Sequence, residues 1–274
     1  MSQLVLQAEI TKLARLLGVA EKKVEFLMVE DVQSLRALRA ACSAAMFQGD
    51  AKMFTRLAAA SKLMPSALAA IIAHKAIGPV LNARVAGLVD PDKAVDISKR
   101  LPIPFLADVS AEIDPRSAGP LLRKMPVQVN VDVGMELLRR KEYIALARFV
   151  EDVTDECIQA IMTELPDDAI LRIGAYVESN KRMDELIAML SDDRLQGTVR
   201  AAVAEPNVLW VWTLSIMESV SPKARRRLGD IALKEQGAIE SMAKALKQQG
   251  LWDSMLAISK DMSKSVQAKY AAAA

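Results

Sequence analysis

The sequence predicts an all-α fold, and three observations predict it. Ala, Leu, Met, Lys, Arg and Glu dominate the composition, and all of them favour helix. Aromatic residues are few (3 Trp, 3 Tyr and 5 Phe), and β-branched alternation is scarce. Apolar residues recur at helical spacing and are cut off by prolines at fixed offsets. Together these predict a right-handed superhelical, solenoid-like array of short helix hairpins. The chain then divides into an N-terminal helical cap at 1–50, a helical-hairpin repeat body at 51–200, and a C-terminal helical segment at 201–274 packed on the repeats.

The N-terminal stretch MSQLVLQAEITKLARLL carries Glu9 and Lys12 where a signal peptide needs an apolar core. It reads as the first helix of the cap. KLARLLGVAEKKVEFL, from Lys12 to Leu27, then fits a helix-turn-helix: Ala14 on the first helix, Gly18 at the turn, Val24 and Leu27 on the second. The second helix would offer Glu21, Lys22, Lys23 and Glu25 to DNA, and two carboxylates repel phosphate. A helical hairpin with a glycine after its first helix gives the same pattern.

The repeat body is defined by prolines. With Asp90 and Asp114 as position zero, each is followed by proline, Pro91 and Pro115. Asp caps a helix N-terminus, and proline suits the first turn, where no backbone donor is needed. Ala94 and Ala118 follow at offset four, Ile97 and Leu121 at seven, Leu101 and Met125 at eleven, Pro102 and Pro126 at twelve, and Val109 and Val133 at nineteen. The same register from Thr154 gives Ile158, Ile161, Leu165, Pro166 and Ile173. From Met53, which is no cap, it gives Leu57, Ala60, Met64, Pro65 and Ile72. These offsets predict four related hairpins, with Leu101, Val109, Met125, Val133, Leu165 and Ile173 in the core. Ser191, ahead of Asp192 and Asp193, opens a fifth unit with no proline at offset twelve. The longer intervals between prolines leave room for an extra helix. Leu146, Phe149, Val150 and Val153 form the stripe of one, and Met183, Leu186, Ile187 and Leu190 that of another. Gly119-Pro120 sits within the third unit's first turn, so that helix either starts late, capped by Ser117, or is kinked. The alternative to an array is an irregular bundle of Pro-ended helices.

The run DPDKAVDISKRLPIPFLADVSAEI, followed at once by DPRSAGPLLRKMP, resembles the helical repeat of the N-terminal cytoplasmic domain of MgtE-type magnesium transporters and of the middle region of the flagellar switch protein FliG. Those repeats read D-P-x-x-A-x-x-L-x-x-L-P before a second short helix. The resemblance covers about residues 53–200 and is tightest from Asp90 to Met125. It implies the superhelical fold and a general role in protein contacts. This chain is charge-balanced where the magnesium-sensing domain is acidic, and no membrane span follows residue 200, so no metal-binding residue transfers.

Chemistry is sparsely signalled. His74, the single histidine, lies among apolar residues in AIIAHKAIG and reads as a structural residue. Cys42 and Cys157 are far apart and lack metal-ligand spacing, which fits buried thiols in a reducing compartment. Asp167-Asp168 and Asp192-Asp193 open helices, where capping and the helix dipole account for them. No phosphate loop, zinc spacing or nucleophile elbow is present, so no catalytic, cofactor or metal residue is assigned. The longest uncharged runs, Leu63 to Ala73 and Pro206 to Met217, fall short of the roughly 20 residues that span a bilayer. A net charge of +2 gives no push toward nucleic acid or anionic membrane. The expected location is the cytoplasm.

The C-terminal segment holds NVLWVWTLSIMESVSPKARRRLG. Trp210 and Trp212 lie on an apolar helix, and Arg225, Arg226 and Arg227 on the next. Trp beside Arg is a common interface composition, so these five are the candidate partner-binding residues; the other reading makes the tryptophans core and the arginines a solvated face. The final AKYAAAA reads as a frayed end. The 14 methionines fit irregular cores or adaptable grooves. The expected function is a non-enzymatic scaffold that binds a protein or peptide. The alternatives are a carrier or sensor of an apolar, lipid-like ligand in a helix-lined cavity, and a DNA-binding regulator acting through the N-terminal helix-turn-helix.

Overall fold

Proline and cap placement set where the helices of this chain begin. The computed structural model describes residues 3–48, 51–113 and 115–273. Among these there are nineteen α-helices and no strand, more helices than the hairpin count suggests because the C-terminal segment alone breaks into five. No described helix is long and apolar enough to cross a membrane. The helices gather into two compact units. One is a middle unit, Ala37–Leu165; the other is a terminal unit joining Met1–Arg36 to Pro166–Ala274. These boundaries fall at other places than the three-part division read from the sequence.

In the terminal unit, α1 (Gln3–Leu17) buries Leu6, Ile10, Leu13 and Ala14 at helical spacing. It ends at Gly18, whose φ of +65° is the left-handed conformation that glycine adopts freely. The expected second helix of a helix-turn-helix is absent. Residues Glu21–Lys23 and Glu25–Val29 form two successive 3-10 turns instead. Their three-residue winding stacks Val24 above Leu27 on one side, and both pack on the cluster of Ile10, Ala14, Val32 and Leu35. Asp31 then caps α2 (Val32–Gln48): its carboxylate accepts the backbone N–H groups of Gln33 and Ser34.

The middle unit holds α2 from Ala37 onward, then α3 (Ala51–Leu63), α4 (Ser66–Ile72), α5 (Pro79–Ala86), α6 (Pro91–Ser98), α7 (Ile103–Glu112), α8 (Pro115–Lys124), α9 (Val127–Arg139), α10 (Tyr143–Phe149) and α11 (Asp155–Glu164). A single π-turn, Ala73–Ile77, continues α4. Pro65, Pro102 and Pro126 each stand directly ahead of a helix, with ψ between 136° and 140°. Each forces the residue before it out of helical geometry and supplies an extended start to the next helix. The Leu-Pro and Met-Pro marks are therefore corners joining two helices. Asp90 caps α6 through the amides of Asp92 and Lys93, and Thr154 caps α11 through that of Cys157. Asp114, the expected cap of α8, lies outside the described residues, as do the side chains of Ser117 and Ala118. That helix runs from Pro115 through Pro120 with no late start.

Two rows of helices result. α3, α5, α7, α9 and α11 pack successively in one, and α4, α6 and α8 in the other. The hairpins opened at Asp90 and Asp114 place their first helices in the second row and their second helices in the first row, as a repeat requires. The segments opened at Met53 and Thr154 do not. Their first helices, α3 and α11, stand in the row of the others' second helices. The reason is parity: successive helices alternate rows, and the extra helices α5 and α10 each shift the alternation by one. The expectation of four equivalent hairpins thus reduces to two. Of the six core positions read from the register, Val109, Leu165 and Ile173 are buried, while Leu101, Met125 and Val133 are half-buried. In α9 the buried stripe runs through Val131, Gly134 and Leu137 instead.

The rest of the terminal unit comprises α12 (Asp167–Gly174), α13 (Asn180–Met189), α14 (Asp192–Ala204), α15 (Pro206–Ser219), α16 (Pro222–Lys234), α17 (Ala238–Gln248), α18 (Trp252–Ser259) and α19 (Lys264–Ala272). Ser179, Ser191, Ser221 and Ser263 cap α13, α14, α16 and α19, each hydroxyl accepting the amide three residues on. The acidic pairs 167–168 and 192–193 fall in first turns, as expected. Apolar α15 is the core of the unit and packs on α1, α12, α14, α17 and α18. The stretch expected to fray is helical as far as Ala272. Val266 and Tyr270, four residues apart, are fully buried and dock α19 on α16, α17 and α18.

Candidate functional site

The five residues expected to bind a partner are placed differently from one another. Trp210 is 1 % exposed, and its indole N–H donates to the Ser241 hydroxyl at 3.0 Å. Trp212 is half-buried. The Arg172 guanidinium lies 5.4 Å from its ring centre, and Tyr176 meets it edge-on at 5.9 Å. Burial raises the Tyr176 phenol above its ordinary pKa. The arginines fan out because neighbours on a helix are about 100° apart. Arg225 donates to the Met217 and Glu218 carbonyls, at 2.7 and 3.0 Å, and pairs with Asp261 at 2.6 Å. Arg227 donates to the Ile187 and Leu190 carbonyls, both at 2.7 Å, and pairs with Asp192 at 2.8 Å. That contact holds the Asp192 carboxyl below the usual range. Both side chains thus satisfy the last carbonyls of a helix, α15 and α13 respectively. Arg226 points to solvent.

The terminal unit also contains a cleft of about 620 Å³ between α1, α15, α18 and the segment after α12. Its wall carries Glu218 and, beside it, a ring of four further charges. The Glu9 carboxylate accepts from Lys12 at 3.0 Å and from Arg36 at 3.1 Å; Lys12 also reaches Glu178 at 3.0 Å, and Arg36 lies 3.9 Å from it. Glu9 and Lys12 are 1 % and 4 % exposed as side chains. Two cations and two carboxylates neutralise one another, so the ring offers no net charge to a ligand. Its evident work is to tie the first 36 residues to the C-terminal half of the unit. The two residues that interrupt the apolar N-terminus are thus buried struts.

A third feature lies in the middle unit, and the sequence reading missed it. α4 buries its small residues, Ser66, Ala69 and Ala70, and exposes its large apolar ones, Leu68 and Ile71. The small face allows close approach to α6. There Asp96 is held below its usual pKa, chiefly by the Ser66 hydroxyl, and the Lys93 ammonium reaches the Met64 carbonyl at 2.7 Å. On α3 the outward stripe is Met53, Arg56, Ala60 and Leu63, and Leu63 is 89 % exposed. From Ala51 to Val89 the chain holds Lys52, Arg56, Lys62, Lys75 and Arg84 and no Asp or Glu. This charge segregation was readable, but the near-zero total hides it.

His74 packs edge-on against Phe105 at 4.9 Å. Cys157 is buried, and burial pushes its thiol up, away from the nucleophilic thiolate. Cys42 is half-buried, and both thiols are free. Among the described residues no three His, Cys, Asp or Glu side chains are grouped to hold a metal. Compared with protein-family models, curated proteins and solved structures, the chain matches none.

Proposed function

We propose that this chain is a non-enzymatic protein-protein interaction scaffold of the cytoplasm, its helices stacked as a right-handed superhelical array like that of MgtE-type N-terminal domains. The observation that carries the reading is the pair of helix rows in the middle unit, α3, α5, α7, α9 and α11 packing successively in one and α4, α6 and α8 in the other. Repeat modules are built this way, and their extended surfaces serve to bind other chains. Two free thiols fit a reducing compartment. The alternative of an apolar-ligand carrier is not favoured by the cleft, whose wall sets five charged side chains, Glu9, Lys12, Arg36, Glu178 and Glu218, beside Val5, Val177 and Ile258. The DNA-binding alternative loses its recognition element, since Lys22 and Lys23 sit on a 3-10 turn.

The test is purification of the tagged full chain from the cells that make it, followed by reconstitution with each stoichiometric partner and titration calorimetry at about 150 mM salt. A purified protein that rebinds with a Kd of about 10 µM or tighter supports the scaffold. Recovery of a stoichiometric lipid, with no protein that rebinds, overturns it.

A further inference from the structure

We propose that the outward face of α3 and α4 is a docking site for an acidic amphipathic helix of a partner protein; the proposal rests on the scaffold reading above. α3 and α4 head the two rows, α3 packing on α5 and α4 on α6. The outer sides of both therefore look out of the same end of the array. Stacked repeats close such an end with a polar capping helix, because an open end leaves apolar surface in water. Here the end is open: Leu63, Leu68 and Ile71 are 89 %, 47 % and 60 % exposed. Leu68, Ile71 and Lys75 follow one another at i, i+3 and i+7 along α4 and its π-turn, the spacing that meets a helix laid alongside.

Charge identifies the occupant. Lys52, Arg56, Lys62 and Lys75 are exposed around these apolar side chains, with no carboxylate from residue 51 to 89. A second copy meeting the face with its own would set like charges against each other. An anionic membrane would find the cations but, from residue 51 to 89, no exposed aromatic anchor, since Phe54 is buried. A helix with apolar residues along one stripe and Asp or Glu beside it satisfies both features. It continues the rows by the packing already used within them, and the flanking cations steer its approach.

The test uses the full chain, made in its own cells with the photoreactive p-benzoylphenylalanine at position 68 or, separately, at 71, and sequences whatever is cross-linked. The expected product is a segment of another protein with net negative charge and apolar residues at helical spacing. Lys62→Glu/Lys75→Glu, both exposed positions, should lower its yield at least tenfold with an unchanged far-UV circular dichroism melt. A cross-link to a second copy, to lipid or to a segment without net negative charge overturns the proposal. So does a yield that survives the charge reversal, or no product from either position. Flotation with phosphatidylglycerol vesicles supplies a further arm: binding abolished by Leu68→Ser/Ile71→Ser assigns the face to membrane and overturns the proposal. The same photoreactive residue at Arg226 and Gln159 separates the two readings. Products there but not at 68 or 71 remove the docking site and leave the scaffold; products nowhere remove both.

Discussion

Replacing Lys12 with methionine tests whether the charged ring of the terminal unit acts as a strut. The ammonium is 4 % exposed and sits 3.0 Å from both Glu9 and Glu178. At an effective dielectric constant of about 20, each such contact carries about 5–6 kcal/mol of Coulomb attraction. Desolvation of the ammonium cancels much of this, so the pair's net worth is small while the cost of breaking it is not. Lys12→Met leaves the ring with two carboxylates against one guanidinium, and breaking buried pairs costs about 3–5 kcal/mol. Because Arg36 still holds Glu9 and Glu178 is part-exposed, the low end, about 3 kcal/mol, is expected. Glu9→Gln tips the ring the other way, to two cations against one carboxylate, and should also destabilise. The double variant restores the balance, with Arg36 facing Glu178, and should be more stable than the sum of the singles by about 2 kcal/mol. Urea unfolding followed by tryptophan fluorescence reads this unit selectively, since Trp210, Trp212 and Trp252 all belong to it. Burial should also make the coupling insensitive to salt. A loss below about 1 kcal/mol for Lys12→Met, with additive singles, would refute the strut and make the ring an ordinary solvated network.

Further outcomes follow from other sites. Gly197→Ala on α14 would drive a Cβ into a carboxylate oxygen of Asp167, which pairs with Arg194 at 2.7 Å; despite the roughly 1 kcal/mol that alanine usually adds to a helix, urea unfolding should show a net loss of about 1–3 kcal/mol. The Tyr270 hydroxyl is buried without a hydrogen-bond partner among the described residues, and burial raises its pKa; Tyr270→Phe should therefore leave the thermal midpoint unchanged or raise it, a gain of about 1 kcal/mol, and a clear loss would reveal a partner such as a bound water. Arg139 and then Arg140, by their hydrogen bonds, lower the Glu136 carboxyl from 4.5 to about 2. Its folded value is depressed, so its stabilising contribution is present above pH 4.5 and is lost as the pH falls through about 2; side-chain NMR titration should show that midpoint move back toward 4.5 in Arg139→Gln/Arg140→Gln, and an unmoved midpoint would deny the pairing.

What the sequence disclosed was mostly local. Proline corners and the Asp, Ser and Thr caps act within three or four residues, so Asp90, Thr154, Ser191 and Pro102 could be assigned from spacing alone. The row parity was also within reach, because it needs only the number of helices between one corner and the next. Long-range packing decided the rest. Arg227 caps α13 through the carbonyl of Leu190, the residue just past its end and 37 residues earlier in the chain, and nothing near Arg227 distinguishes it from solvent-facing Arg226. Nothing local marks Glu9 and Lys12 as buried, since charge is ordinarily exposed; only Arg36 and Glu178, remote in sequence, make their burial tolerable. α4 misleads in the opposite sense. Periodicity places Leu68 and Ile71 on one face and Ser66, Ala69 and Ala70 on another, and a hydrophobic scale sends the larger residues inward. A neighbouring helix that packs close selects the small face instead and leaves the large one outside. A helix with a small face and a large apolar face therefore leaves the large one uncovered when a close-packing neighbour takes the small one, and the proposed docking site rests on that geometry. The run of basic residues without acid from Ala51 to Val89 is the independent feature of the sequence on which the proposed acidic character of the partner rests.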